Sequence, residues 1–106
     1  MGFNAAQFLA LGAPRREVVQ FEGATIHLRE LTVGERAEVL RVSQEEPVRL
    51  PLLLVRLCAL DDAGAPMFAV EDEDKIANLR PGLIDTVAHA VMKLSGMTAE
   101  AKEKKD

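Results

Sequence analysis

At 106 residues the chain is one small domain at most, and a hydrophobic content of 48% supports a packed core rather than disorder. With no Trp, no Tyr and four Phe, it has few aromatic faces on which to stack bases or sugars, and its net charge of −4 argues against a phosphate-binding face. A single cysteine, Cys58, excludes an intramolecular disulfide.

The charge is uneven. Residues 1–60 carry seven Arg and seven Glu, so the whole excess of acid lies in 61–106. Arg15-Arg16 beside Pro14 reads as a solvated loop pair, not a phosphate clamp. No basic leader precedes the apolar run Phe8 to Leu11, which is too short to span a bilayer, and Pro51 and Arg56 interrupt the run Leu50 to Leu60. The expectation is a protein of a reducing cytoplasm, with neither membrane nor nucleic acid as partner.

In chain order, Asn4 with Gln7 three residues later predicts a short helix over Ala5 to Leu11, ended by Gly12 and Pro14. A helix so short is unstable alone and must dock on its own core or on a partner. Glu17 to Phe21 and Thr25 to Leu31 are β-rich around Glu22-Gly23-Ala24 and predict a hairpin. Ile26 and Leu28 supply its apolar face, which needs a helix across it.

Thr32 and Glu35 form a capping-box pair that starts a helix running to about Gln44, with Val33, Ala37 and Leu40 at i, i+4 and i+7 as its expected buried face. After Glu45-Glu46-Pro47 a second helix is predicted from about Val48 or Pro51 to Leu60. It is the most apolar segment and the expected centre of the core, through Leu50, Leu53, Leu54, Leu57 and Cys58. Asp61-Asp62-Ala63-Gly64 is a turn. Four acids, Glu71 to Asp74, then open a short helix, about Asp72 to Leu79, as a helix N-terminus favours. The last helix is predicted over Leu83 to Ser95, with Leu83, Val87, Ala90, Val91 and Leu94 as its stripe and Gly96 as its stop. Residues 98–106 read as a mobile charged tail. The fold class expected is α+β, an N-terminal β-hairpin packed by a bundle of about four helices in a single domain, with 1–15 as an N-terminal segment.

Motifs of chemistry are missing. His27, His89 and Cys58 share no zinc-type spacing. Placing Gly64 sixth in a calcium loop puts Ala59, Ala63 and Val70 where oxygen ligands belong. Cys58 sits in the most apolar helix, and Ser43 and Ser95 lie in no nucleophile elbow. No residue is a candidate for catalysis, metal binding or cofactor binding, so the expectation is a non-enzyme without cofactor.

Two segments carry a resemblance. From Glu17 to Leu40 the order is a Val-rich strand, a Gly turn, a strand ending Arg29-Glu30-Leu31-Thr32, and Glu35-Arg36 in the next helix. From Val55 to Leu79 it is an apolar helix, the Asp-Asp-Ala-Gly turn, Met67-Phe68 and an acidic step into Lys75-Ile76-Ala77-Asn78-Leu79. Together they resemble the tail assembly chaperones of long-tailed, siphovirus-like bacteriophages and prophages, over roughly Glu17 to Leu94. The sequence departs from that pattern at Glu22, where an aromatic residue is expected before the hairpin Gly, and in a longer acidic step after Phe68.

The resemblance implies a protein that coats the hydrophobic tape-measure protein in the host cytoplasm, keeps it soluble until the tail tube polymerises around it, and is absent from the mature virion. It implies self-association and a frameshift-extended form as further partners; an A-rich stretch encoding Lys102-Glu103-Lys104-Lys105 is a candidate slip site, and a solubilising tail is the plainer reading of those lysines. The alternative function is a structural tail or head completion component retained in the virion. Candidate partner-binding residues are Phe3, Phe8 and Leu11 in the N-terminal segment and Val87, Val91 and Leu94 in the last helix, a stripe that serves equally as core.

Overall fold

A computed structural model describes residues 2–98. The charged tail expected over 98–106 therefore lies outside the described residues from 99 onward. The elements are α1 (Ala5–Leu11), β1 (Arg16–Phe21), β2 (Ala24–Arg29), α2 (Val33–Glu45), α3 (Leu50–Cys58), β3 (Ala59–Leu60), α4 (Glu73–Ala77) and α5 (Pro81–Leu94), with short 3₁₀ turns at Pro47–Arg49 and Val70–Asp72. This is the expected α+β class.

β1 and β2 pair antiparallel through a two-residue turn, Glu22-Gly23, with Phe21 opposite Ala24 and Glu17 opposite Leu28. Glu22 has φ 49° and Gly23 φ 86°, the left-handed pair that suits the twist of a tight hairpin. The alternation of β2 places Leu28 in the core and Ile26 half-buried, while His27 faces solvent. A third strand was not expected. Ala59 and Leu60 leave α3 extended and pair with Leu28 and His27, giving the order β1-β2-β3. Two residues are too few for a strand pattern, so in the sequence they read as the end of α3.

α3 is the centre of the core, as its composition predicts. Leu53, Leu54, Val55 and Cys58 are buried, and Pro51 sits in the first turn where its missing N–H costs nothing. α5 lies against it and against the sheet through Ile84, Val87, Ala88, Val91 and Leu94. This helix begins at Pro81, two residues before the expected Leu83, with the proline in its first turn.

The expected face of α2 is reversed. Val39 and Val42 are buried, whereas Val33 is 87% and Leu40 52% exposed and Ala37 is also exposed. Apolar residues lie on both sides of this helix, so its spacing alone does not choose a face; packing on α3 selects Val39 and Val42.

Ion pairs tie the elements together. Glu73 at the start of α4 accepts from Arg49 at 2.9 Å and from Arg56 of α3 at 2.6 Å, in half-buried surroundings. Its carboxyl is held below the usual carboxylate range, first by Arg49 and also by Arg56, against the opposing effect of burial.

Candidate functional site

The side chains that the sequence offers to a partner fall into two groups. Val87, Val91 and Leu94 are 3%, 0% and 7% exposed and belong to the core. They cannot present an outward surface, because α5 turns that stripe onto α3 and the sheet. The N-terminal residues behave differently: Phe3, Phe8 and Leu11 are 64%, 66% and 78% exposed, as is Leu9, and no residue of α1 is buried.

α1 is nonetheless a well-capped helix. The Gln7 N–H donates to Asn4 Oδ1 at 2.9 Å, and the Asn4 N–H donates to Gln7 Oε1 at 2.8 Å. Phe3 and Phe8 meet edge to face, with ring centroids 6.1 Å apart. Its root is anchored at Arg15. The Arg15 N–H donates to Glu30 Oε1 at 2.9 Å, the Arg15 carbonyl accepts from Glu30 N–H at 2.8 Å, and its guanidinium reaches the Leu94 carbonyl at 2.9 Å. Nearby, the buried Ser95 hydroxyl accepts from the Leu31 N–H at 3.0 Å.

Between this root and the start of α2 lies a cleft of about 570 Å³, walled by Leu11, Val33 and Arg36 among others. A second depression of about 190 Å³ continues along α2, with Leu40, Met92, Met97 and again Arg36 in its wall. The C-terminal cap of α5 builds its far side. The Gly96 N–H donates to the Lys93 carbonyl and the Met97 N–H returns to the Met92 carbonyl at 2.8 Å. Gly96 makes this reversal at φ 72°, which folds Met97 back beside Met92.

Leu9, the outward residues of α2, Arg36, Met92 and Met97 are surface features that sequence reasoning missed. Met97 lay beyond the predicted helix stop, and the outward face of α2 was assigned to the core.

Chemistry elsewhere is sparse. Among the described residues, no group of three His, Cys, Asp or Glu side chains is arranged to hold a metal ion. Asp61 spends its carboxylate on its own turn, accepting from the Ala63 and Ala65 N–H groups at 2.9 and 3.0 Å. Cys58 is fully buried, and burial pushes its thiol up to about 12. No described helix is long and apolar enough to cross a membrane.

At the hairpin tip, Glu22 stands where the resemblance calls for an aromatic residue. Its carboxylate accepts from both Arg80 nitrogens at 3.0 and 2.7 Å, and the Arg80 guanidinium lies over the Phe21 ring, 5.6 Å from its centroid. A charged clamp between the hairpin and the entry of α5 thus occupies the tip.

No family model matches the chain, and no curated protein matches it. Among solved structures it is similar to the tail assembly chaperone of bacteriophage HK97, with a TM-score of 0.65 and 18% sequence identity over 84% of this chain and 91% of that one. The chain therefore shares its fold with that phage tail assembly chaperone.

Proposed function

We propose that this chain is a non-enzymatic chaperone of phage tail assembly, which binds the tape-measure protein and keeps it soluble in the host cytoplasm until the tail tube polymerises around it. The observation that carries the reading is the fold likeness to the HK97 tail assembly chaperone over most of both chains. The exposed apolar arm supports it: four large apolar side chains on and before α1 stand in solvent, a liability unless a partner covers them. Phe3, Phe8 and Leu11 are proposed to contact the client. Several copies on one elongated client, together with self-association, add avidity without new contacts, and no cofactor or nucleotide is required. A frameshift-extended form carrying the same domain is a further proposed partner.

The test is co-expression of the tagged chain with the large tape-measure-like product encoded downstream, followed by solubility and pull-down assays. A soluble client that co-purifies with an excess of this chain upholds the reading. A client that stays insoluble and unbound, with this chain found by mass spectrometry in purified virions, replaces it with a structural component.

A further inference from the structure

We propose that the two adjoining depressions along α2 form the seat for one amphipathic helix of another protein, whose apolar stripe carries an acidic side chain opposite Arg36. This deepens the chaperone reading by naming the surface and the chemistry of the docked segment, and it rests on that reading only for the identity of the client.

The track is continuous because Arg36 belongs to the walls of both depressions. From Val33 to Ser43, α2 runs about 15 Å, roughly three helical turns, which matches a segment of about the same length laid alongside it. Its apolar anchors come from three elements: Leu11 at one end, Val33 and Leu40 along α2, and Met92 with Met97 at the other end. Thioether side chains adapt to varied apolar shapes.

Charge chooses the occupant. Arg41 pairs with Glu38 and Glu45, Arg29 with Glu35, and Arg15 with Glu30. Among the described residues Arg36 alone of the charges on α2 has no ion pair, and it stands exposed in the wall shared by the two depressions, the first of which also carries the Arg15–Glu30 pair. Residues 2–14, which include α1, contain no acid to meet it, whether from the same chain or from a second copy. Residues 99–106 contain acids but no apolar side chain larger than Ala, so they cannot fill the anchors. A helix from another protein with Leu-type anchors and an acidic flank satisfies both requirements.

The experiment uses the full chain and two fluorescein-labelled synthetic helical peptides of about 18 residues. Both carry Leu at i, i+3, i+4 and i+7; one has Glu flanking the stripe and the other has Lys. Fluorescence anisotropy at low salt is expected to show the Glu peptide binding about threefold more tightly, the size that one exposed charge pair produces. The net −4 of the chain favours the Lys peptide at long range, so a preference for Glu reports Arg36 locally. Arg36→Glu is expected to reverse the preference, and Leu40→Asp or Val33→Asp to abolish binding of both. Both apolar positions are more than half exposed, so circular dichroism stays unchanged.

Equal affinity for the two peptides, or binding indifferent to these substitutions, overturns the proposal. So does ultracentrifugation in which Leu40→Asp converts a self-associated wild type into monomers, which assigns the face to a second copy. A tape-measure protein held equally by wild type and Leu40→Asp overturns this surface and leaves the chaperone reading intact. If wild type binds no tape-measure protein, the chaperone reading fails and the peptide titration still decides the surface.

Discussion

Arg29 and Glu35 meet in a two-pronged ion pair, Nη1 to Oε1 and Nη2 to Oε2, each at 2.7 Å. The pair joins the last residue of β2 to the first turn of α2, and the same Glu35 accepts from the Thr32 N–H at 2.9 Å to complete the capping box. One carboxylate thus sets both where the helix begins and how it leaves the sheet. Glu35→Gln keeps a side chain able to cap but removes the charge facing Arg29. It is expected to cost about 2 kcal/mol, measured as a lowered urea midpoint with an unchanged slope.

Acid sensitivity follows from the same groups. Arg29 holds the Glu35 carboxyl below its ordinary value, and Arg49 with Arg56 does the same for Glu73. A depressed carboxylate contributes stability that is complete above the unfolded-state value, about 4.3, and is lost as pH falls through the lower folded-state value. Stability is therefore expected to be insensitive to these two groups from about pH 7 to 5 and to fall below about pH 4. Thermal melts across that range check it, and Glu35→Gln with Glu73→Gln together should flatten the acid limb.

At the alkaline end Cys58 acts in the opposite sense. Its thiol is raised to about 12 by burial, so the unfolded chain loses this proton near its ordinary value while the folded chain keeps it. The contribution is complete below about pH 8.5 and declines as pH rises beyond it. A thiol-reactive dye should label the native protein only at the rate of unfolding, and Cys58→Ala should remove that part of the alkaline decline. Fast labelling under native conditions at pH 8 contradicts the buried assignment.

Two phenylalanine and valine positions separate surface from core. Val91→Ala is expected to destabilise the fold by about 2 kcal/mol, since Val91 is fully buried between α5 and its neighbours. Phe8→Asp is expected to leave the melting temperature within about 2 °C, because its ring is 66% exposed, while weakening client binding or self-association. Loss of helical circular dichroism in Phe8→Asp places that ring in the core instead.

The turn after β3 gives a backbone test. Gly64 has φ 84°, and a Cβ there would stand 2.6 Å from the Arg16 Nη1 that crosses it. Gly64→Ala is expected to cost at least about 1 kcal/mol from the backbone conformation alone, with Arg16 displaced. Chemical denaturation of the variant measures it, and Arg16→Ala in the same chain should relieve only the steric part.

Much of the local structure was legible. Asn4 with Gln7 and Thr32 with Glu35 marked two helix starts that the structure reproduces to the residue, because a capping box uses only atoms within four positions of one another. The hairpin, the core role of α3 and the stop at Gly96 were readable for the same reason: turn chemistry and apolar density are local properties. The surface was less legible. The Val87, Val91 and Leu94 stripe is the same in sequence whether it faces a client or α3, and the apolar positions of α2 lie on both of its faces.

The sequence by itself determined an acidic α+β chain, its caps and turns, and the absence of a recognisable catalytic motif, since these depend on residue type and short spacing. Only the tertiary structure decided that Ala59 and Leu60 extend the sheet, that α2 buries Val39 and Val42 while presenting Val33 and Leu40, and that Met97 returns to Met92 beside Arg36. The Met97 to Met92 hydrogen bond is local, but the pairing of β3, the buried face of α2 and the meeting of Met97 with Arg36 depend on which surfaces meet across long sequence separations, where burial of apolar area outweighs any local preference for one face.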